Sequence, residues 1–74
     1  KISLTLRLSG RFAERLRREV GDDPARQVDR AYRLAFGRPP EPDERAAAVR
    51  VVSSLGPEVL ARAIFNSNEF LYVD

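Results

Sequence analysis

The side chains able to do chemistry in this chain are carboxylates, serines, asparagines, two tyrosines and arginines; there is no cysteine and no histidine. Those two absences exclude a thiolate nucleophile, a disulfide, a histidine general base and the ordinary ligand set of a zinc site. Covalent haem attachment through cysteines and histidine is excluded with them. The glycines stand apart from one another, so no glycine-rich phosphate loop is present. Asp43 and Glu44 are adjacent at a helix start, where they diverge and complement the helix dipole instead of pairing across a cleft. Asp22 and Asp23 read in the same way as a capping pair. Asn66-Ser67-Asn68-Glu69 gathers oxygen ligands of the kind calcium takes, but only Glu69 is charged and an EF-hand spreads its acids over a longer loop. The asparagines are expected to cap a helix end and turn the chain. Tyr32 and Tyr72 sit in apolar stripes, where packing with the hydroxyl at the edge is the expected role. No catalytic, cofactor-binding or metal-ligating residue is assigned, and no cofactor is expected.

The arginines offer the competing chemistry. The net charge is +2, and the basic residues are twelve arginines and one lysine. Lys1, Arg7, Arg11, Arg15, Arg17 and Arg18 crowd the first twenty residues against Glu14 and Glu19 alone. If the first helix starts early, Arg7, Arg11, Arg15 and Arg18 share one face, and such a stripe can follow phosphates. A helix–turn–helix built from the second and third helices is the other nucleic-acid geometry. The stiff Pro39-Pro40 link and an Ala/Val-rich third helix, with Arg45 and Arg50 alone as donors, weigh against it. Arginine and alanine richness also fits a genomic composition bias, and a solvated charged face is the plainer account.

Helical spacing dominates the elements that carry these residues. Residues 2–8 alternate apolar and polar, but nothing else in the chain alternates to pair with them. They are expected to form an extended lead-in, the start of the first helix, or an edge strand completed by further sequence. Helix one is expected after Ser9, with Phe12, Ala13, Leu16 and Val20 inward and Gly21 as a left-handed stop. Glu14–Arg18 and Arg15–Glu19 are candidate i,i+4 pairs. Helix two has Asp23 as N-cap, Pro24 in its first turn, and Val28, Ala31, Tyr32 and Ala35 inward. Arg26, Arg30 and Arg33 make its polar stripe, partly offset by Asp29. Gly37 and Pro39-Pro40 end it. Helix three starts at Pro42, carries a broad Ala/Val face over residues 46–52, and ends near Ser53-Ser54. Helix four starts at Pro57, with Val59, Leu60, Ala63 and Ile64 inward and Phe65 at the edge.

The expected fold is therefore all-α: a small bundle of four short helices behind an extended or irregular N-terminal lead-in. Residues 1–10 form the lead-in, or a cloning or gene-prediction feature, and 11–74 the helical C-terminal subdomain. No apolar run approaches the roughly 20 residues that span a bilayer. A core of this size supplies only about 3–5 kcal/mol unaided, and the chain opens on Lys1 without methionine. Those features favour support from neighbours in a longer protein.

Residues 28–44, VDRAYRLAFGRPPEPDE, and 60–74, LARAIFNSNEFLYVD, resemble the C-terminal end of the DUF1553 domain. That domain occurs in large planctomycete proteins, often beside a DUF1549 domain and a cytochrome-c-like segment. The resemblance covers roughly residues 11–74, and the pairing of GRPP with a terminal NSNEFLYVD is its specific part. A looser likeness links the helix–GR-P–helix pattern to the DUF4214 domain. The resemblance implies a fragment that ends a longer chain in a secreted or cell-envelope setting. It carries over no catalytic residue, because the family's function is unknown. Three functions are expected in order: a structural or interaction module packing on parent-chain domains or a protein partner; a nucleic-acid-binding module using the basic face of helix one; an accessory part of an exported enzyme whose active site lies upstream. For the first, Phe65, Phe70, Leu71 and Tyr72 are the expected contact surface, and their exposure would drive self-association.

Overall fold

A computed structural model describes residues 4–67 of the chain, with the backbone alone for residues 4–6. It contains four helices: α1 (Leu4–Val20), α2 (Pro24–Phe36), α3 (Pro42–Leu55) and α4 (Pro57–Phe65). Three of them begin at a proline, whose fixed φ suits a first turn and whose missing N–H is one that the turn leaves unbonded anyway. The Asp23 carboxylate accepts from the Ala25 N–H at 3.1 Å and so caps α2. At α3 the cap is reciprocal. Glu41 precedes the helix, and the Glu44 carboxylate accepts from the Glu41 N–H at 2.8 Å in a capping box. Gly37 ends α2 in the left-handed region at φ 70°, donating its N–H to the Arg33 carbonyl at 3.0 Å.

Of the three readings of residues 2–8, the start of the first helix holds from Leu4 onward. Residues 4–10 are helical, which corrects both the extended lead-in and the start after Ser9. Ser9, Ala13 and Leu16 fall on one side of α1, and all three are buried. Once the Ala13 and Leu16 face docks, the position one turn back lies on the same face, and a serine is small enough to sit there. The alternating pattern of residues 2–8 would need a partner strand, and no strand forms among the described residues.

Helices α2 and α4 pack on each other and each touches both remaining helices, whereas α1 and α3 do not touch. The α2/α4 pair is thus the centre of the bundle, with α1 and α3 on its flanks. Leu16, Val28, Ala31, Ala48, Val52, Leu60 and Ile64 form the core, with Phe12, Tyr32 and Phe36 among the side chains that close over it. The Phe12 and Phe65 rings meet edge to face at 5.7 Å between centroids, which ties α1 to α4. The inward sets named from spacing hold for α1, α2 and much of α4. On α3 they are too generous: Ala46, Ala47 and Val51 are exposed, because α1 does not reach that flank. Ala63 is exposed and Ala61 fully buried on α4, a shift of face that small residues at both positions concealed.

Candidate interaction surfaces

Because α1 runs from Leu4, Arg7, Arg11, Arg15 and Arg18 all lie on one continuous helix. At about 100° per residue they fall within an arc of about 80°, on the side away from Ser9, Ala13 and Leu16. All four are exposed. Arg15 donates to Glu19 at 2.7 Å, the i,i+4 pair expected from the sequence. Glu14 and Arg18 form no ion pair. The Glu19 carboxylate is shared: its second oxygen accepts from Arg30 of α2, also at 2.7 Å. Hydrogen bonds from Arg15 first and Arg30 second hold Glu19 below the usual glutamate range. One carboxylate thereby joins the outer faces of α1 and α2.

On α2, Arg26, Arg30 and Arg33 line a shallow depression of about 260 Å³ with Val20 and Asp29. Asp29 does not offset them in the way its position in the sequence suggests. It is engaged by Arg45 of α3 through two contacts of 2.9 and 3.2 Å.

The remaining ion pairs are braces. Arg17 donates to both Glu58 oxygens at 2.6 and 3.1 Å, clamping α1 to the start of α4. That hydrogen bond lowers the Glu58 pKa against a smaller opposing effect of burial. Arg38 of the GRPP segment bonds Glu44 at 3.1 Å and lies 5.6 and 5.5 Å from the ring centres of Tyr32 and Phe36. In this segment Gly37 turns the chain, and Arg38 fastens the turn to α2 and α3 by charge and ring contact. Beside this cluster a groove of about 140 Å³ opens between α2 and α4, lined by Tyr32, Phe36, Glu44, Leu60, Ala63 and Ser67.

Of the expected contact surface, Phe65 is half-buried against Phe12. Phe70, Leu71 and Tyr72 lie outside the described residues, as do Asn68 and Glu69 of the oxygen-rich turn. Asn66 ends α4, its N–H donating to the Arg62 carbonyl at 3.1 Å. Among the described residues no three acidic side chains converge as a metal site would require. No described helix is long and apolar enough to cross a membrane. Val51 belongs to the Ala/Val face expected over residues 46–52, and Leu55 is the last residue of α3. Leu55 is 64% exposed and Val51, one turn before it, 36%. Helical spacing marks them as apolar neighbours on a helix that α1 does not touch.

Comparison of the chain with protein-family models, with curated proteins and with solved structures gives no match.

Proposed function

We propose that this chain is a helical structural or interaction subdomain, of the kind that ends a DUF1553-type protein, and that it packs against its parent chain or a protein partner. The observation that carries this reading is the exposure of Val51 and Leu55 side by side on the outer flank of α3. Exposed Leu55 and the partly exposed Val51 beside it make a small apolar seat that another body can cover. The family resemblance adds the parent chain as the natural candidate. The polar side chains support the same role: Asp23, Glu44, Glu58 and Arg38 are all engaged in caps and braces that hold helices together.

The test is the solution state of the 74-residue chain, by light scattering over a concentration series, beside a Val51→Asp/Leu55→Asp double variant. Concentration-dependent association that the double variant abolishes without lowering its melting temperature is the expected result. A monodisperse, highly stable monomer unaffected by the double substitution counts against the reading. In a full-length parent, deletion of residues 57–74 should cost solubility; loss of an activity at unchanged solubility would point instead to an accessory role in catalysis.

A further inference from the structure

The basic surface is larger than one helix, and part of its carboxylate charge is engaged by arginines outside the two rows. Arg7, Arg11, Arg15 and Arg18 of α1 and Arg26, Arg30 and Arg33 of α2 all point away from the core. The Glu19 bridge between Arg15 and Arg30 joins the two rows where α1 meets α2. The carboxylates on or beside this surface are Glu14, Glu19, Asp29 and, in the turn between the two helices, Asp22 and Asp23; Asp22 faces Arg17 at 3.9 Å and Asp23 caps α2. Glu19 is taken up in holding the rows together, and Asp29 is neutralised from α3 by Arg45. Arg7, Arg11, Arg18, Arg26 and Arg33 have no carboxylate partner among the described residues.

The α1 row spans about 16 Å and the α2 row about 10 Å at about 1.5 Å per residue. From these observations we propose that the α1–α2 face binds the phosphate backbone of nucleic acid without regard to sequence. Arginine suits the task because its planar fork meets two phosphate oxygens at once. The surface lacks what the alternatives require. A protein interface has an apolar centre inside a polar rim; here half-buried Val20 is a lone apolar side chain in the depression lined by Arg26, Asp29, Arg30 and Arg33, and Leu8 on α1 is marginally exposed. Single-strand binders stack bases on aromatic side chains, and none of the described aromatic residues lies on this face. Backbone contact to a duplex remains. This surface is separate from the Val51/Leu55 flank, so either proposal can fail alone.

The experiment is fluorescence anisotropy of the 74-residue chain with labelled duplexes of two unrelated sequences. Salt is raised from about 50 to about 200 mM. Arg11→Gln/Arg18→Gln and Arg26→Gln/Arg33→Gln remove charge from the face. Arg50→Gln/Arg62→Gln removes the same charge from exposed, unpaired positions elsewhere. Circular dichroism melts confirm that each variant folds, and the two face variants back each other should one unfold. Equal binding of both duplexes is expected, in the micromolar or weaker range typical of sequence-independent contact. Each face variant should weaken binding about tenfold and reduce the slope of log affinity against log salt by about 1.8, at about 0.9 per lost contact. The Arg50/Arg62 variant should bind as the parent sequence does. Absence of binding at the lowest salt overturns the proposal. So does equal loss in all three variants, which would mean net charge and not this face, and so does binding to anionic lipid vesicles with none to duplex.

Discussion

Gly56 is the single residue between α3 and α4, and its backbone sits at φ 90°, ψ 165°. Side chains of L residues almost never adopt that conformation, because Cβ then crowds the backbone; holding one there costs about 1–3 kcal/mol. A Cβ at this position would also lie 2.8 Å from Glu58 Oε1, the oxygen that Arg17 holds at 3.1 Å. The second effect is smaller than the first. The Glu58 carboxylate ends a flexible side chain and can move, and an exposed ion pair contributes only about 0–1 kcal/mol. Gly56→Ala should therefore destabilise the bundle by about 2 kcal/mol, mostly through backbone strain. For a domain of this size that lowers the melting temperature by about 8–16 °C. Two further variants separate the effects. In a Glu58→Ala background, Gly56→Ala loses the side-chain clash but keeps the strain, so its cost should fall by under about 1 kcal/mol. A chemically synthesised Gly56→D-Ala chain, for which positive φ is ordinary, should recover most of the loss. Melts followed by circular dichroism supply all three numbers. A Gly56→Ala chain within about 0.5 kcal/mol of the parent sequence, or D-alanine as damaging as L-alanine, refutes the argument from backbone geometry.

Leu16 is fully buried in the core, so Leu16→Ala should cost about 2–5 kcal/mol. Against a total of about 3–5 kcal/mol, that should leave the chain largely unfolded at 37 °C, as read by far-UV circular dichroism. Asp23→Ala removes the α2 cap and should cost about 0.5–2 kcal/mol in a urea titration, with Asp23→Asn retaining most of it. Glu58 is held below its ordinary pKa by Arg17, Glu19 by Arg15 and then Arg30, and Glu44 by Arg38 and then the Glu41 N–H. Folded values below the unfolded ones give stability that is complete above the ordinary glutamate value of about 4.3. It is lost as pH falls through the lowered folded values. The melting temperature should be flat near neutrality and decline below about pH 4.3, with a shallower acid limb in Glu58→Gln. An unchanged acid limb would show that Arg17–Glu58 is not formed in solution.

Helix boundaries marked by backbone chemistry were legible in the sequence. Asp23-Pro24, Gly37, Pro42 and Pro57 act through φ and through local hydrogen bonds, so they fix an end wherever the helix later packs. Ser9 misled because the same side chain can cap a helix or fill a tight spot inside one, and only the docking of α1 decides between them. Nothing in the helical spacing marks Gln27. It is 2% exposed, and its Nε2 donates to the Gly21 carbonyl at 2.6 Å, binding the end of α1 to the second turn of α2. No period in the sequence announces a polar residue recruited by a turn six positions earlier.

The surfaces were legible only as far as one helix at a time. Spacing puts Arg7, Arg11, Arg15 and Arg18 on a common face, provided α1 begins early enough, and puts Arg26, Arg30 and Arg33 on another. What spacing cannot supply is the balance of charge between elements. Asp29 lies among the α2 arginines in the sequence, yet Arg45 of α3 takes it; Glu19 belongs to α1, yet it serves Arg30 as well as Arg15. Both events need the tertiary fold, and both act on the same surface. The first frees arginine charge from its local counter-ion, and the second joins the two rows where α1 meets α2. The contrast with α3 follows from the same cause. On α3, which α1 does not touch, Val51 stays partly and Leu55 largely exposed. One arrangement of four helices thus sets an arginine face on one part of the surface and an apolar pair on another, two different chemistries on a chain without cysteine or histidine.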